Sequence, residues 1–112
     1  MLHAPTESEI AALLQFDNPE LCRTLAEISR YIPFSNNEPI LTIGQNTPRM
    51  LFLVDGIARF YYMDPIGREL TQCFCTIPGV PLMGNINTAS SLSGAHAVGK
   101  MTALEIDRKS VV

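Results

Sequence analysis

The sequence predicts a mainly β chain, closed into a small β-sandwich or β-roll and preceded by short helices. Three observations predict this fold. Short apolar stretches recur between Ile40 and Gly84, glycines punctuate them, and two helical patterns come first. Glycine takes positive φ angles without a Cβ clash, so it suits tight turns between strands. Short strands and turns at this spacing are typical of sandwiches and rolls.

Two helices are predicted before the strands. The pattern Thr6-x-x-Glu9 is a capping box, in which each residue bonds a free backbone amide of the other. The second helix begins at Asn18, which caps it, and the proline that follows fits its first turn. Apolar residues then recur at helical spacing to Ile32, and Pro33 ends the helix. We expect both helices to cover the open side of the roll.

Turn residues divide the strand region. Asp55-Gly56 is typical of a hairpin loop, and it predicts a hairpin between Leu51–Val54 and Ile57–Met63. Because Leu51–Val54 is apolar throughout, both of its faces are expected to be covered. Ile57–Met63 alternates, so one of its faces should pack while the other is partly in water. The next turn is Asp64 to Gly67, and the other predicted strands are Ile40–Ile43, Arg68–Phe74, Ala95–Val98 and Met101–Ile106.

The last part of the chain predicts a loop and then the start of a helix. Residues 77–94 are rich in Gly, Asn, Ser and Thr, which is typical of loops. Asp107 is a candidate cap for a helix that stops one turn later, at Val112. One helical turn is unstable without a partner, so we expect the natural protein to be longer. The predicted organisation is helices over 1–32, a roll over 33–107 and a truncated helix over 108–112.

Composition narrows the function classes. A length of 112 residues suits one domain, and a hydrophobic content of 46% with 17% charged residues argues against disorder. No apolar run approaches the roughly 20 residues of a membrane span, and the start lacks a signal-peptide pattern, so we expect a cytoplasmic protein without a membrane partner. The net charge of −3 and the scattered basic residues do not favour DNA binding by these residues themselves.

The chain has three cysteines, Cys22, Cys73 and Cys75. An odd number suits a reducing compartment better than a disulfide framework. Cys73 and Cys75 lie two residues apart in a predicted strand, so they share a face with Cα atoms about 6.5–7 Å apart. That spacing is at the edge of disulfide reach. We favour apolar packing for the pair over a redox or metal role.

The strand and glycine pattern resembles the cyclic-nucleotide-binding sensor domain of the Crp/Fnr bacterial transcription regulators. The resemblance covers about residues 34–108 and implies a double-stranded β-helix, or jelly roll. In the family, a dimerisation helix and a helix-turn-helix follow. The resemblance therefore implies a longer homodimer that binds DNA through a part absent from this chain. The matching stretches are Ile40–Gly44, Leu51–Gly56, Ala58–Tyr61 and Asp64–Glu69, and residues 103–108 resemble the family's last strand.

The resemblance also implies where a ligand would bind. In the cyclic-nucleotide branch of the family, a glycine and a glutamate precede an arginine that pairs with the cyclic phosphate. Here the glycine is Gly84 and the next residue is Asn85, and no arginine occurs between Arg68 and Arg108. Lys100 is the one lysine in that interval and falls after the cassette. Because a buried phosphate without a cation costs several kcal/mol, we expect no binding of cyclic AMP in the usual way.

The remaining cassette residues mix apolar and neutral polar groups. This mix suits a small, largely apolar effector with a few polar handles. The alternative is a pocket filled by its own side chains. Arg59 and Arg68 are interpreted as a solvated face, and His96 as a half-exposed or hydrogen-bonded side chain rather than a ligand. The candidate effector-binding residues are Cys73, Phe74, Leu82, Met83, Gly84, Asn85, Ile86, Asn87, Ser91 and Ser93.

Two other functions stay open. The chain could be a stand-alone cyclic-nucleotide-binding-like module that is complete at Val112. A cupin-like metal enzyme uses the same roll, but it needs a histidine cluster. This chain has two histidines, His3 and His96, at opposite ends of the sequence. No nucleophile with a nearby base stands out, so we predict no enzyme, no catalytic residue, no metal and no cofactor.

Overall fold

The computed structural model describes residues 3–42, 50–82 and 93–107, and the structural statements below concern those residues. They form a five-stranded antiparallel sheet preceded by two helices, so the predicted mainly β class is confirmed. None of the helices in the described part of the chain is long and apolar enough to cross a membrane. The elements are α1 Glu7–Leu14, α2 Pro19–Ile28, β1 Ser29–Phe34, β2 Pro39–Leu41, β3 Met50–Met63, β4 Glu69–Cys75 and β5 Ser93–Ile106.

The sheet is organised around two long strands, β3 and β5, of 14 residues each. The strand order is β1-β5-β3-β4, and β2 also pairs with β5. The first half of β3 pairs with the second half of β5, and the second half of β3 pairs with the first half of β5 and with β4. Each long strand therefore contributes to both halves of the roll.

Both predicted helix caps are present. The Glu9 amide donates to Thr6 Oγ1 at 3.1 Å, and the Thr6 amide donates to Glu9 Oε1 at 2.9 Å. In α2, the Leu21 amide donates to Asn18 Oδ1 at 3.1 Å, and proline occupies the first turn. These bonds satisfy amides that have no partner within the helix, which fixes where each helix begins.

The predicted end of the second helix is wrong. The helix stops at Ile28, and the next residues form β1, which extends past Pro33 to Phe34. Strand β1 pairs with β5 from Ser29 opposite Ile106 to Phe34 opposite Met101. Pairing with a strand from the far end of the chain therefore overrides the helical spacing of the apolar residues, as tertiary context often does.

The predicted hairpin at Asp55-Gly56 is also wrong. Strand β3 continues through this site, and the pairing with β5 shifts register on both sides of Asp55. Gly56 has a φ of +102°, so the positive φ expected of a turn is used in a strand irregularity instead. The two predicted closing strands are likewise one strand, β5, in which Gly99 has a φ of +72°.

Buried side chains form two clusters, one on each side of the first half of β3. Leu51 and Leu53 belong to the interior cluster of the roll, while Phe52 and Val54 pack against the cluster beneath the helices. This arrangement confirms that the apolar stretch is covered on both faces. The helix cluster is built from Ile10, Cys22, Leu25, Leu104 and Ile106.

The predicted turn after β3 is held by one carboxylate. Asp64 Oδ1 accepts from the backbone amides of Ile66 at 3.0 Å and Arg68 at 2.7 Å. Asp64 Oδ2 accepts from Arg68 Nε at 2.7 Å. The Arg68 amide bond is the main cause that lowers the pKa of Asp64 below its usual value, and partial desolvation opposes this shift. The charged carboxylate is therefore the form that the turn stabilises.

Replacing Asp64 with asparagine is expected to lower the free energy of unfolding at pH 7. A lowered native pKa means that the stabilisation is complete above the unfolded pKa and is lost as the pH falls through the native pKa. The difference between the wild type and Asp64→Asn should therefore shrink as the pH drops below 3.8, the ordinary value for this group. Urea unfolding at pH 7 and pH 3 measures both differences. Asp17→Asn, at an exposed position, is the control and should change little. A deficit in Asp64→Asn that is equal at both pH values would contradict this account.

Candidate functional site

The face of the sheet that points into the roll is apolar. Ala58 and Phe60 from β3 lie there with Ala95 and Ala97 from β5, and all four are buried. Their side chains come together because the register pairs Ala58 with Ala97 and Phe60 with Ala95. Directly opposed residues of an antiparallel pair share a face of the sheet. None of these four side chains offers a charge or a hydrogen bond to a ligand.

The segment after β4 is tied to this interior through the backbone. The Gly79 amide donates to Leu53 O at 2.7 Å, and the Leu53 amide donates to Val80 O at 2.9 Å. The Leu82 amide donates to Leu51 O at 2.8 Å. Leu82 is fully buried in the interior cluster. The predicted effector-binding segment therefore starts from an anchored residue.

Cys73 and Phe74, both predicted effector residues, lie on opposite faces of β4. Cys73 is opposite Phe60, so it is on the interior side, whereas Phe74 is opposite Arg59 on the outer side. Phe74 is 57% exposed. The structure thus brings Cys73 and Leu82 to the interior side and does not bring Phe74 there.

The other candidate residues contribute no described side chain. Ser93 is the first residue of β5 and lies opposite Tyr62 in the register. The remaining six are outside the described residues, as is the helix predicted from Arg108. Their assignment to an effector site stays a prediction. These six are Met83, Gly84, Asn85, Ile86, Asn87 and Ser91.

Arg59 is in a polar cluster on the outer face rather than on a solvated surface. Its side chain is only 19% exposed. Arg59 Nη1 donates to Glu69 Oε1 at 2.5 Å, and Nε donates to Thr71 Oγ1 at 2.7 Å. The guanidinium carbon lies 5.4 Å from the centre of the Tyr61 ring. The prediction of a solvated face is therefore wrong for Arg59, although it holds for Arg68, which is 69% exposed.

His96 completes the outer-face cluster. Its Nε2 lies 2.9 Å from Arg59 Nη1, and its Nδ1 lies 3.1 Å from Ala97 O. Because a guanidinium can only donate, Nε2 accepts and Nδ1 carries the proton. This arrangement confirms a hydrogen-bonded, half-buried histidine. The sequence analysis did not predict this cluster, although Arg59 in an apolar strand, directly before Phe60 and Tyr61, was a signal that the guanidinium would need polar partners.

The outer-face cluster keeps the Arg59 guanidinium away from the interior of the roll. Since Arg59 points away from Ala58 and Phe60 and is bound to Glu69, it does not supply a cation to the inside of the roll. Arg68 is bound to Asp64 at the turn. In the described part of the chain, no group of three or more His, Cys, Asp or Glu side chains is placed to hold a metal ion.

The architecture is that of a cyclic-nucleotide-binding domain, as found in the sensor domains of Crp/Fnr-family regulators. One similar structure is DNR from Pseudomonas aeruginosa, with a TM-score of 0.76 and 15% identity over 98% of this chain. The chain spans about half of DNR, 51% of its length. A separate structure of the sensor domain of the transcriptional regulator DNR has a TM-score of 0.70 at 16% identity. This match covers 88% of this chain and 67% of the domain structure.

Two protein kinase regulatory subunits share the same fold. The subunit of a cAMP-independent protein kinase A from Trypanosoma brucei has a TM-score of 0.76 at 15% identity, covering 93% of this chain and 41% of its own. The corresponding Trypanosoma cruzi subunit, bound to guanosine, has a TM-score of 0.73 at 14% identity, and the match covers 94% of this chain and 37% of the subunit. No protein-family model and no curated protein matches the sequence. At these identities the structures show the shared fold, and the proteins they come from are regulatory rather than enzymatic.

Proposed function

We propose that this chain is the effector-sensing domain of a Crp/Fnr-like bacterial transcription regulator. The structural similarity to the DNR sensor domain supports a regulatory domain of this kind. In the full-length protein, an effector inside the roll changes the position of a C-terminal dimerisation helix and the DNA-binding domains attached to it. An effector can do this only if it binds one of two conformations more tightly than the other. DNA and a second copy of the protein are then the partners of the whole regulator.

The effector of this proposal is not cyclic AMP held in the usual way. The observation that supports this is the apolar interior face formed by described residues of β3 and β5, while Arg59 of β3 is directed to the outer face and bound to Glu69. The sequence has no arginine between Arg68 and Arg108 that would reach a cyclic phosphate from the cassette. A phosphate transferred from water into such an interior would lose its hydration without gaining a cation.

An effector without a phosphate is compatible with the fold. The similar Trypanosoma cruzi subunit is bound to guanosine, a nucleoside that carries no phosphate. In this chain the described residues on the interior side that belong to the candidate set are Cys73 and Leu82. Together with the neutral polar residues predicted between 83 and 93, they favour a small, uncharged and largely apolar effector.

The coding sequence beyond the codon for Val112 tests the regulatory function. We expect an open reading frame that encodes a long amphipathic helix and then a helix-turn-helix pattern. The full-length product should bind DNA as a dimer. A stop codon directly after Val112 would contradict the proposal and would favour the stand-alone binding module instead.

A further inference from the structure

Cys73 and Cys75 form an open thiol pair on the interior side of the roll. They lie opposite Phe60 and Ala58, two buried residues of the interior cluster. Strand β4 is at the edge of the described sheet, with β3 as its neighbour. Cys73 is exposed, Cys75 is half-buried, and both are free thiols. The prediction of apolar packing is therefore wrong for Cys73.

The two thiols are on the same face of β4, because residues two apart in a strand point to the same side of the sheet. Disulfide formation between them is disfavoured because residues two apart in a strand have Cα atoms about 6.5–7 Å apart, at the upper limit for disulfides. Two parallel side chains on one face can instead converge on a single ion, at metal–sulfur distances of about 2.3 Å.

The surroundings of the pair favour a soft metal ion over a hard one. The residues opposite the thiols, Phe60 and Ala58, are apolar and offer no oxygen or nitrogen ligand from their side chains. Thiolates without carboxylate or imidazole partners select soft ions such as Cu(I), whereas calcium and magnesium need oxygen ligands. Exposure of Cys73 gives such an ion access from solvent.

We propose that Cys73 and Cys75 form a two-thiolate site for one soft metal ion, with Cu(I) as its probe. On binding, the two S–H bonds break, two Cu–S bonds form and two protons go to solvent. No electron is transferred, and the complex carries one negative charge. This inference goes beyond the proposed sensing function and does not depend on it, because the site is defined by the geometry of β4.

Competition for Cu(I) with the chromophoric chelator bicinchoninate tests the site on the full chain under reducing conditions. We expect one Cu(I) per chain. Cys73→Ser or Cys75→Ser should weaken Cu(I) binding by about 100-fold or more, because even residues that only hold a metal ligand in place change metal affinity by about 10- to 100-fold. Cys22→Ser is the matched control, because Cys22 belongs to α2 and is buried in the helix cluster. Binding that survives both Cys73→Ser and Cys75→Ser, or that depends on Cys22, would overturn the proposal.

Alkylation of the wild-type chain provides a test without substitutions. Iodoacetamide should label Cys73 several-fold more slowly with Cu(I) present, because a metal-bound thiolate is no longer free to react. An unchanged labelling rate would refute the site. This result is independent of the regulatory proposal. If the chain lacks Cu(I) affinity but its gene encodes a helix-turn-helix, only the metal inference fails. If Cu(I) binds but the gene stops at Val112, only the regulatory role fails.

Discussion

Replacing Gly56 with alanine should destabilise the fold by about 3 kcal/mol or more. Gly56 has a φ of +102°, which an alanine adopts only with strain. An added Cβ would also lie 2.7 Å from Lys100 O and 2.8 Å from Met101 Cα. Both are backbone atoms of β5. Removing the clash would therefore require β3 and β5 to move apart at Gly56.

Gly67→Ala is the matched control for this prediction. Gly67 also has a positive φ, +87°, but an added Cβ would meet nothing within 4 Å. This substitution should therefore cost only the conformational strain, about 1–2 kcal/mol. Guanidinium unfolding of both variants and the wild type measures the difference. Equal losses for the two glycines would mean that the close approach of β3 and β5 at Gly56 does not limit stability.

Leu82→Ala should cost about 3 kcal/mol, in the range measured when a fully buried leucine is truncated. Leu82 is 0% exposed and belongs to the interior cluster. Truncation leaves a cavity whose walls are strands already fixed by the sheet, so little relaxation is expected. Because Leu82 also anchors the start of the predicted effector segment, any effector that binds the wild type should bind this variant more weakly.

Ile77→Ala, in the segment after β4, is the control. It shows how much stability is lost when an exposed aliphatic side chain, rather than a buried one, is truncated. Ile77 is 67% exposed, so its truncation should change the free energy of unfolding by about 0.5 kcal/mol or less. Thermal and denaturant unfolding of the two variants give the comparison. A loss at Ile77 as large as the loss at Leu82 would contradict the assignment of Leu82 as the anchor.

Features that depend on near neighbours in the chain could be predicted from the sequence. The caps at Thr6 and Asn18 each involve residues within one helical turn, and the turn at Asp64 closes within four residues. Features set by distant strands were mispredicted. The start of β1 depends on Ser29 pairing with Ile106, and the use of Gly56 in a strand irregularity rather than a hairpin depends on the register with β5.

The same distinction applies to the candidate site. Successive side chains of a strand point to opposite faces, so Cys73 and Phe74 cannot both face the interior. The prediction that both line the effector site did not take this into account. Which of the two faces is interior depends on the pairing of Cys73 with Phe60, and no local pattern encodes that pairing. The hydrogen bonds of Arg59 to Thr71 and His96 likewise join three strands and could not be read from spacing alone.

The central claim is that the described residues on the interior side of the roll offer no cation to a cyclic phosphate. Isothermal titration of the chain with cyclic AMP tests this most directly. We predict no measurable binding heat up to about 1 mM ligand, which corresponds to a binding free energy weaker than about −4 kcal/mol. A dissociation constant in the micromolar range would contradict the account, because it would require a phosphate partner that the apolar face and the bound Arg59 do not supply.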